Sequence, residues 1–425
     1  MKLSMFSCAA KEKDVRGMDA TKQYLLTLTR QAIWKEEPST PPEQLDWEQL
    51  FCEARAGNIL SVLVSCIQKF PESLQPTQLS KLLKESVSLK KRRHRDYDML
   101  QRIFGEADNR NIQLVLFKGP VFAHLYPDYD LRYYDDFDLL VSPEELDMTV
   151  ELLESFGFKM SHHMSKQYVY CFRKDNYSDI ELYTKLWENL SPKKEKQLLE
   201  LGLDEEAALL NTTACAMVVT TLGYEQHLIY QMHHIAKLLL FQGMELRHYV
   251  DVTLYVNQYI HKIDVAHFWE SMKNLQYRKF AEIFCQICVH YFGMKKEFLP
   301  EGSWQAEVTE QWITTFFRVG LLGCGCADTR IASAIVYQSY FSNRGEKPSR
   351  KKMWRVTLFP RIKDLSGRYR YAKQHKWLLP VAWFHRAIRY VLTLVSKKRK
   401  KAVSEPMRQA EEKMVVLEKM GLLKR

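Results

Sequence analysis

The chain has 425 residues, 46% of them hydrophobic, 12% aromatic and 27% charged, which suits two or three packed units and excludes an intrinsically disordered protein. The net charge of +11 is unevenly spread: Lys347 to Lys401 carries 18 Lys or Arg against the single acid Asp364, a net +17, so the remainder sums to −6. Nine cysteines, an odd number scattered through apolar contexts, argue for buried thiols in a reducing compartment and against a disulfide framework.

The opening MKLSMFSCAAKEKD lacks the apolar stretch of a secretory signal. No run of about 20 apolar residues exists either, so a cytoplasmic chain without a spanning helix is expected. Residues 1–45 read as an extension, with a short helix from Gln23 to Trp34 and a Pro-rich link from Glu37 to Pro42. Residues 46–108 read as a helical N-terminal region. Trp47, Leu50 and Phe51 fall at helical spacing, a second apolar set runs from Ile59 to Ile67, and a longer helix is predicted from Thr77 to Ala107. Within that helix, Lys90 to Arg95 form a charge run, read as a solvated face rather than a phosphate site.

Residues 109–200 change period and form the expected core. Ile112 to Phe117 is a short buried strand. Lys118-Gly119-Pro120 makes a turn into a short helix from Val121 to Tyr126, and Arg132 to Val141 is a second strand. Ser142-Pro143-Glu144-Glu145 is a capping box opening a helix to Phe156. Two further strands, Gln167 to Arg173 and Ile180 to Leu186, are joined by a turn, giving the order β-α-β-α-β-β. From 201 to 345 the pattern reads as helical throughout, with helices expected over Leu222 to Phe241, Glu245 to Ile260, Val265 to Phe292 and Thr309 to Phe341. Residues 346–425 are a basic amphipathic tail.

The chemistry concentrates in Leu114 to Val141. Alternation along a strand puts Asp136 and Asp138 on one face of an otherwise apolar segment. Such a pair repels itself unless a cation lies between its members, so a Mg²⁺ or Mn²⁺ site for phosphate chemistry is expected there. Glu181, an acid inside the β-prone stretch Asp179 to Tyr183, is the candidate third ligand. Asp135 points the other way unless the register slips by one. Lys118 and Gly119, just before a helix, suggest a phosphate seat. Arg132 could hold a phosphate, neutralise Asp136 or make a structural ion pair.

These residues also carry a resemblance. Lys118-Gly119, Leu125-Tyr126-Pro127, Arg132 and Asp136-Phe137-Asp138-Leu139-Leu140-Val141, followed by a helix and a hairpin ending in Glu181-Leu182-Tyr183 and then Trp187, resemble the uncharacterised nucleotidyltransferase family of the DNA polymerase β-like superfamily. The chain departs from the pattern at Tyr183, where the family has histidine, and at Asp135, where it has a small residue. The match is dense over about 110 to 190 and looser in the helical flanks, at Asp46-Trp47 and from His233-His234 to Asp251. The resemblance implies an α+β fold, a small mixed sheet with flanking helices. It also implies metal-dependent transfer of a nucleotidyl group from an NTP to an unidentified acceptor, with Asp136 and Asp138 on metal and Glu181 as base or third ligand.

Three other readings stand beside it: a glycosyltransferase using Asp136-Phe137-Asp138 on a nucleotide sugar, a non-catalytic protein that keeps the fold, and a tRNA-modifying member using its basic tail. Cys285 and Cys288 with Cys324 and Cys326 read as core thiols rather than zinc ligands. His227, His233, His234 and His248 read as structural histidines on helices, with His234 the one that could face a cleft. The segment Trp377 to Val395, capped by Lys397 to Lys401, suits a peripheral contact with an anionic inner membrane face better than nucleic acid, with packing against the body and solvated lysines as the third reading.

Overall fold

The computed structural model describes residues 18–73, 75–161, 168–186, 192–203, 205, 208–322, 327–342, 349–362, 365, 367–395 and 397–423. It begins with three helices, α1 (Ala20–Ile33), α2 (Trp47–Ala56) and α3 (Leu60–Ile67), then the long α4 (Pro76–Asn109). Asp19 and Asp46 start α1 and α2 as N-caps, each accepting a 2.9 Å bond from the amide three residues on. The core follows as β1 (Val115–Phe117), α5 (Gly119–Ala123), β2 (Asp136–Leu140), α6 (Leu146–Ser155), β3 (Lys159–Met160), β4 (Val169–Arg173) and β5 (Asp179–Tyr183). Ser142 caps the turn by accepting from the Glu145 amide, but the Glu145 carboxylate takes the Ser142 hydroxyl and the Gln113 amide rather than the Ser142 amide, so only half of the expected capping box forms; it opens a short 3₁₀ turn that runs into α6.

After α7 (Pro192–Leu199) the structure departs from an all-helical reading: β6 (Leu209–Ala214) and β7 (Met217–Leu222) form a hairpin. Its two turn residues, Cys215 and Ala216, both have positive φ, 50° and 67°. A two-residue hairpin turn of that shape ordinarily carries Asn-Gly or Asp-Gly, so nothing in Cys-Ala signals it. Helices then continue as α8 (Tyr224–Phe241), α9 (Leu246–Tyr259), α10 (Val265–Asn274), α11 (Arg278–Ile287), α12 (Ala306–Arg318), α13 (Ala327–Ser342), α14 (Arg350–Leu358), α15 (Arg370–Gln374), α16 (Leu379–Val395) and α17 (Lys397–Lys419). The single helix expected over Val265 to Phe292 is broken at Gln276, whose φ is 57°, and finishes as a π-helical turn, Cys288–Phe292, closed by Gly293 at φ 77°.

The seven strands form one mixed sheet in the order β3-β4-β5-β2-β1-β7-β6, in which β2 runs parallel to β5 and β1 parallel to β7. Alternation divides its side chains between two cores. Leu116, Phe137, Leu139, Ile180 and Leu182 pack with Leu100 and Ile103 of α4 and Leu152 of α6. Phe117, Leu140 and Tyr183 face the helices of the C-terminal half, with Phe117 edge-on to Tyr230 of α8. The extension joins this second core through Leu25 and Leu28 of α1. Asp136, Asp138 and Glu181 share the parity of Leu140 and Tyr183, so they open toward α8 and α9. Among the described residues, no helix is long and apolar enough to cross a membrane.

Candidate active site

The β2–β5 ladder pairs Asp138 with Glu181 and Asp136 with Asp179. Neighbouring strands lie about 4.8 Å apart, so Asp138 and Glu181 stand side by side on one face, two residues above the start of the strand. Asp136 shares that face; Asp179, opposite it, is engaged at 3.0 Å by Arg173. The other face of β2 is sealed by Phe137 and Leu139, and Asp135, outside the strand, is exposed and bonded by the Tyr133 hydroxyl. The register therefore places Asp136 and Asp138, not Asp135, on the shared face.

Lys118 ends β1 and reaches over this face. Its Nζ lies 2.5 Å from Asp138 Oδ1, and the rings of Phe117, Tyr183 and Tyr230 surround it at 5.3 to 5.6 Å. Its backbone is unusual: φ 59° and ψ −130° put a non-glycine residue where only local compensation keeps it. That compensation is visible. The Lys118 amide donates to His227 Nε2 at 3.2 Å, and its carbonyl accepts from the amides of Val121 and Phe122. The amides at the start of α5 are therefore largely spent on the turn itself, and the seat offers the Lys118 ammonium more than a free helix end. A Cβ added to Gly119 would lie 3.6 Å from the Asp136 main-chain carbonyl oxygen, an ordinary contact.

Electrostatics follow from this crowding. Burial pushes the Asp138 carboxyl up to about 7; Lys118 opposes that rise, while Asp136 and Glu181 add to it. Burial works against the Lys118 ammonium, but Asp138, Tyr230 and Asp136 outweigh it and hold the group above the ordinary lysine value. Glu181 accepts a 2.7 Å bond from the Tyr183 hydroxyl, so the residue standing where the family pattern has histidine orients the third carboxylate. Among the described residues, no three His, Cys, Asp or Glu side chains converge as a finished metal cage. The donor set still fits a hard cation: three carboxylates on adjacent strands repel one another, and Lys118 and Tyr183 occupy the oxygens that such a cation would take.

Arg132 is placed differently from a phosphate or Asp136 ligand. It is buried and forked onto Asp251 of α9 at 2.7 and 2.8 Å, and its third bond, 3.1 Å, goes to the Gly119 carbonyl. The Tyr126 hydroxyl donates to the same Asp251 at 2.9 Å. Burial alone would raise the Asp251 pKa, but Arg132 outweighs it and holds the carboxyl below its usual range. This network clamps the Lys118-Gly119 turn to α9 from below. Asp251 lies 119 residues beyond Arg132, so no local pattern connects the two.

The charge run on α4 is likewise only partly solvated. Lys90 pairs with Asp130 at 2.8 Å, whereas Arg93 is buried, lying 3.5 Å over the Tyr134 ring and donating to the Tyr134 carbonyl at 2.8 Å. Cys285 and Cys288 are buried in the core, as expected of structural thiols; Cys324 and Cys326 lie outside the described residues.

Asp136, Asp138 and Glu181 on adjacent strands of a mixed sheet, with the buried Lys118 against Asp138, are the candidate site. Over residues 43–293 the sequence matches the family described as uncharacterised nucleotidyltransferase, and the chain belongs to that family. Its core is an α+β fold, a seven-stranded mixed sheet with flanking helices, and the chemistry the family's description gives is nucleotidyl transfer. No curated protein matches the chain. Among solved structures it is similar to the antibiotic-resistance factor ANT(2'')-Ia. The solution structure is 14% identical over 43% of this chain and 96% of that one, with a TM-score of 0.32. The crystal structure with adenylyl-2''-tobramycin gives 14% identity, 41% and 96% coverage and a TM-score of 0.32. An antigenic nucleotidyltransferase-like protein from Paracoccidioides brasiliensis is 18% identical over 36% of this chain and 72% of that one, with a TM-score of 0.25.

Proposed function

We propose that the chain transfers a nucleotidyl group from an NTP to an acceptor in a reaction dependent on Mg²⁺ or Mn²⁺, with Asp136, Asp138 and Glu181 as the ligands. The observation that carries this is the register of β2 and β5, which sets Glu181 beside Asp138 on the face that Asp136 shares. When bound, the divalent ions would neutralise the triphosphate and clamp the attacking and leaving oxygens. The chain's own groups account for the rest. Lys118 leaves Asp138 and meets the phosphates, and the bare Gly119 backbone allows them close. Glu181, oriented by Tyr183, takes the proton of the acceptor hydroxyl as its oxygen bonds to the α-phosphorus and pyrophosphate leaves. Arg132 supports the seat through Gly119 rather than by touching phosphate.

The acceptor is a second substrate. A nucleotide-sugar glycosyltransferase finds less support, since that reading needs strands upstream of β1 and α2, α3 and α4 are helices. Peripheral contact with an anionic membrane face, at the cytoplasmic side, belongs to the same proposal.

The test is isothermal titration of Mn²⁺ and each NTP into the wild type and an Asp136→Asn, Asp138→Asn double variant. Metal-dependent NTP binding in the wild type, lost in a folded double variant, is the expected result. Binding that is unchanged in the variant overturns the site.

A further inference from the structure

The C-terminal segment carries a surface that the catalytic reading does not use. Helix α16 and the 3₁₀ turn before it present Trp377, Val381, Phe384 and Ile388 to solvent, with 76%, 53%, 68% and 41% of each residue exposed. Their spacings of four, three and four residues align them in a single stripe along the helix. Five of the twelve large hydrophobic residues exposed among the described residues fall between Phe359 and Ile388, so the apolar surface is concentrated here rather than scattered.

The opposite side of α16 is already satisfied. Ala382 is fully buried in a small cluster with Leu365, Tyr369 and Ala372, and the Trp383 indole donates to the Pro360 carbonyl at 2.9 Å. The stripe is therefore not a core face awaiting the body of the protein. The sequence around the stripe is basic: between Asp364 and Glu405 there are eleven Lys or Arg and no acid. Arg368, Arg370, Lys373 and Lys376 are exposed just before the stripe, and Lys397 to Lys401 follow the helix in sequence.

We propose that this face docks on an anionic lipid bilayer, with α16 lying in the plane of the interface, its stripe among the acyl chains and the flanking cations at the headgroups. The charge complementarity selects an anionic partner. The stripe selects lipid over nucleic acid: Val381 and Ile388 offer no ring on which a base could stack, while Trp377 and Phe384 suit the boundary between headgroup and hydrocarbon. Arg386 and Arg389 within seventeen residues forbid a span, so the helix binds the surface without crossing it. The inference gives the peripheral contact proposed above its face and its chemistry. It does not depend on nucleotidyl transfer, because vesicle binding and NTP binding are separate measurements that fail separately.

The experiment is co-sedimentation of the full chain with phosphatidylcholine vesicles, with and without phosphatidylglycerol, for the wild type and a Val381→Ser, Phe384→Ser double variant. Both positions are exposed, so the fold is retained, which far-UV circular dichroism verifies. The expected result is pelleting with the anionic vesicles alone, weakened about tenfold in the double variant. Wild type that stays in the supernatant with anionic vesicles at low salt overturns the proposal. So does a double variant that pellets equally well, which would leave only the lysines acting. An RNA oligonucleotide that binds the wild type and is lost in the double variant would assign the face to nucleic acid and overturn it as well.

Discussion

Lys118 is the residue on which the site turns. Held in a strained backbone by His227 and its own helix turn, it opposes the rise that burial, and after it Asp136 and Glu181, impose on the Asp138 carboxyl. Glu181 is held in turn by Tyr183, which makes the two separable by experiment. Replacing Glu181 with Gln removes the proposed base, and turnover is expected to fall about 10²-fold or more, as for loss of a general base. Tyr183→Phe removes one hydrogen bond to a charged acceptor, and a smaller loss of about tenfold in kcat is expected, with the KM for NTP unchanged. Steady-state kinetics of both variants check this. A Tyr183→Phe enzyme that changes KM alone would place Tyr183 in nucleotide binding instead of in positioning Glu181.

At the scale of elements, the strands that carry the site were legible because their signals are local. Apolar runs bounded by polar residues located β1, β2, β4 and β5, and the two-residue period put Asp136 and Asp138 on a common face. Glu181 aside, what could not be read was what partners distant in sequence fix. The hairpin β6–β7 turns at Cys215-Ala216 without the usual residues, so its strands resemble the helical segment that follows. For Arg132 a phosphate contact, a pairing with Asp136 and a structural ion pair were equally open in the sequence, and only α9, by bringing Asp251 to it, shows the ion pair. The expected helix-end phosphate seat proved to spend its amides on closing the turn. That clamp is testable. Asp251→Asn leaves a buried guanidinium without its counter-charge, and a loss of about 3–5 kcal/mol is expected in urea unfolding. The double replacement Arg132→Met, Asp251→Leu, which removes both charges, is expected to recover most of that loss. A single variant as stable as the wild type would show that the clamp does not hold the turn.

At the scale of the molecule, the sheet and the helices above it meet across His227 and His248, both buried, with the half-buried His234 beside them, and these contribute to how the fold responds to acid. Burial, followed by the nearby Lys118 and Arg132, pushes His227 down to about 3 despite the opposing Asp251. Burial pushes His248 down to about 4, with Glu245 and Asp251 opposing and Arg247 and Arg132 reinforcing. His234 is lowered too, by burial and then by Lys118, Lys237, His248 and His233. Each is neutral in the folded chain, whereas in the unfolded chain each takes up a proton near the ordinary value of 6.5. The unfolded state therefore binds more protons below that pH. The stability these residues permit is complete above about pH 6.5 and is lost as pH falls toward their folded values, at up to about 1.4 kcal/mol per pH unit for each fully buried group. Urea midpoints are expected to fall steadily from pH 6.5 to pH 4; near pH 4 the unfolded chain also begins to protonate Asp251, whose folded pKa is depressed, and this adds its own loss. His227→Gln, which keeps an acceptor for the Lys118 amide but cannot titrate, is expected to flatten that slope by about one histidine's share. An unchanged slope in the variant would mean that His227 is already able to hold a proton in the folded protein, and that the turn carrying Lys118 is looser than its hydrogen bond implies.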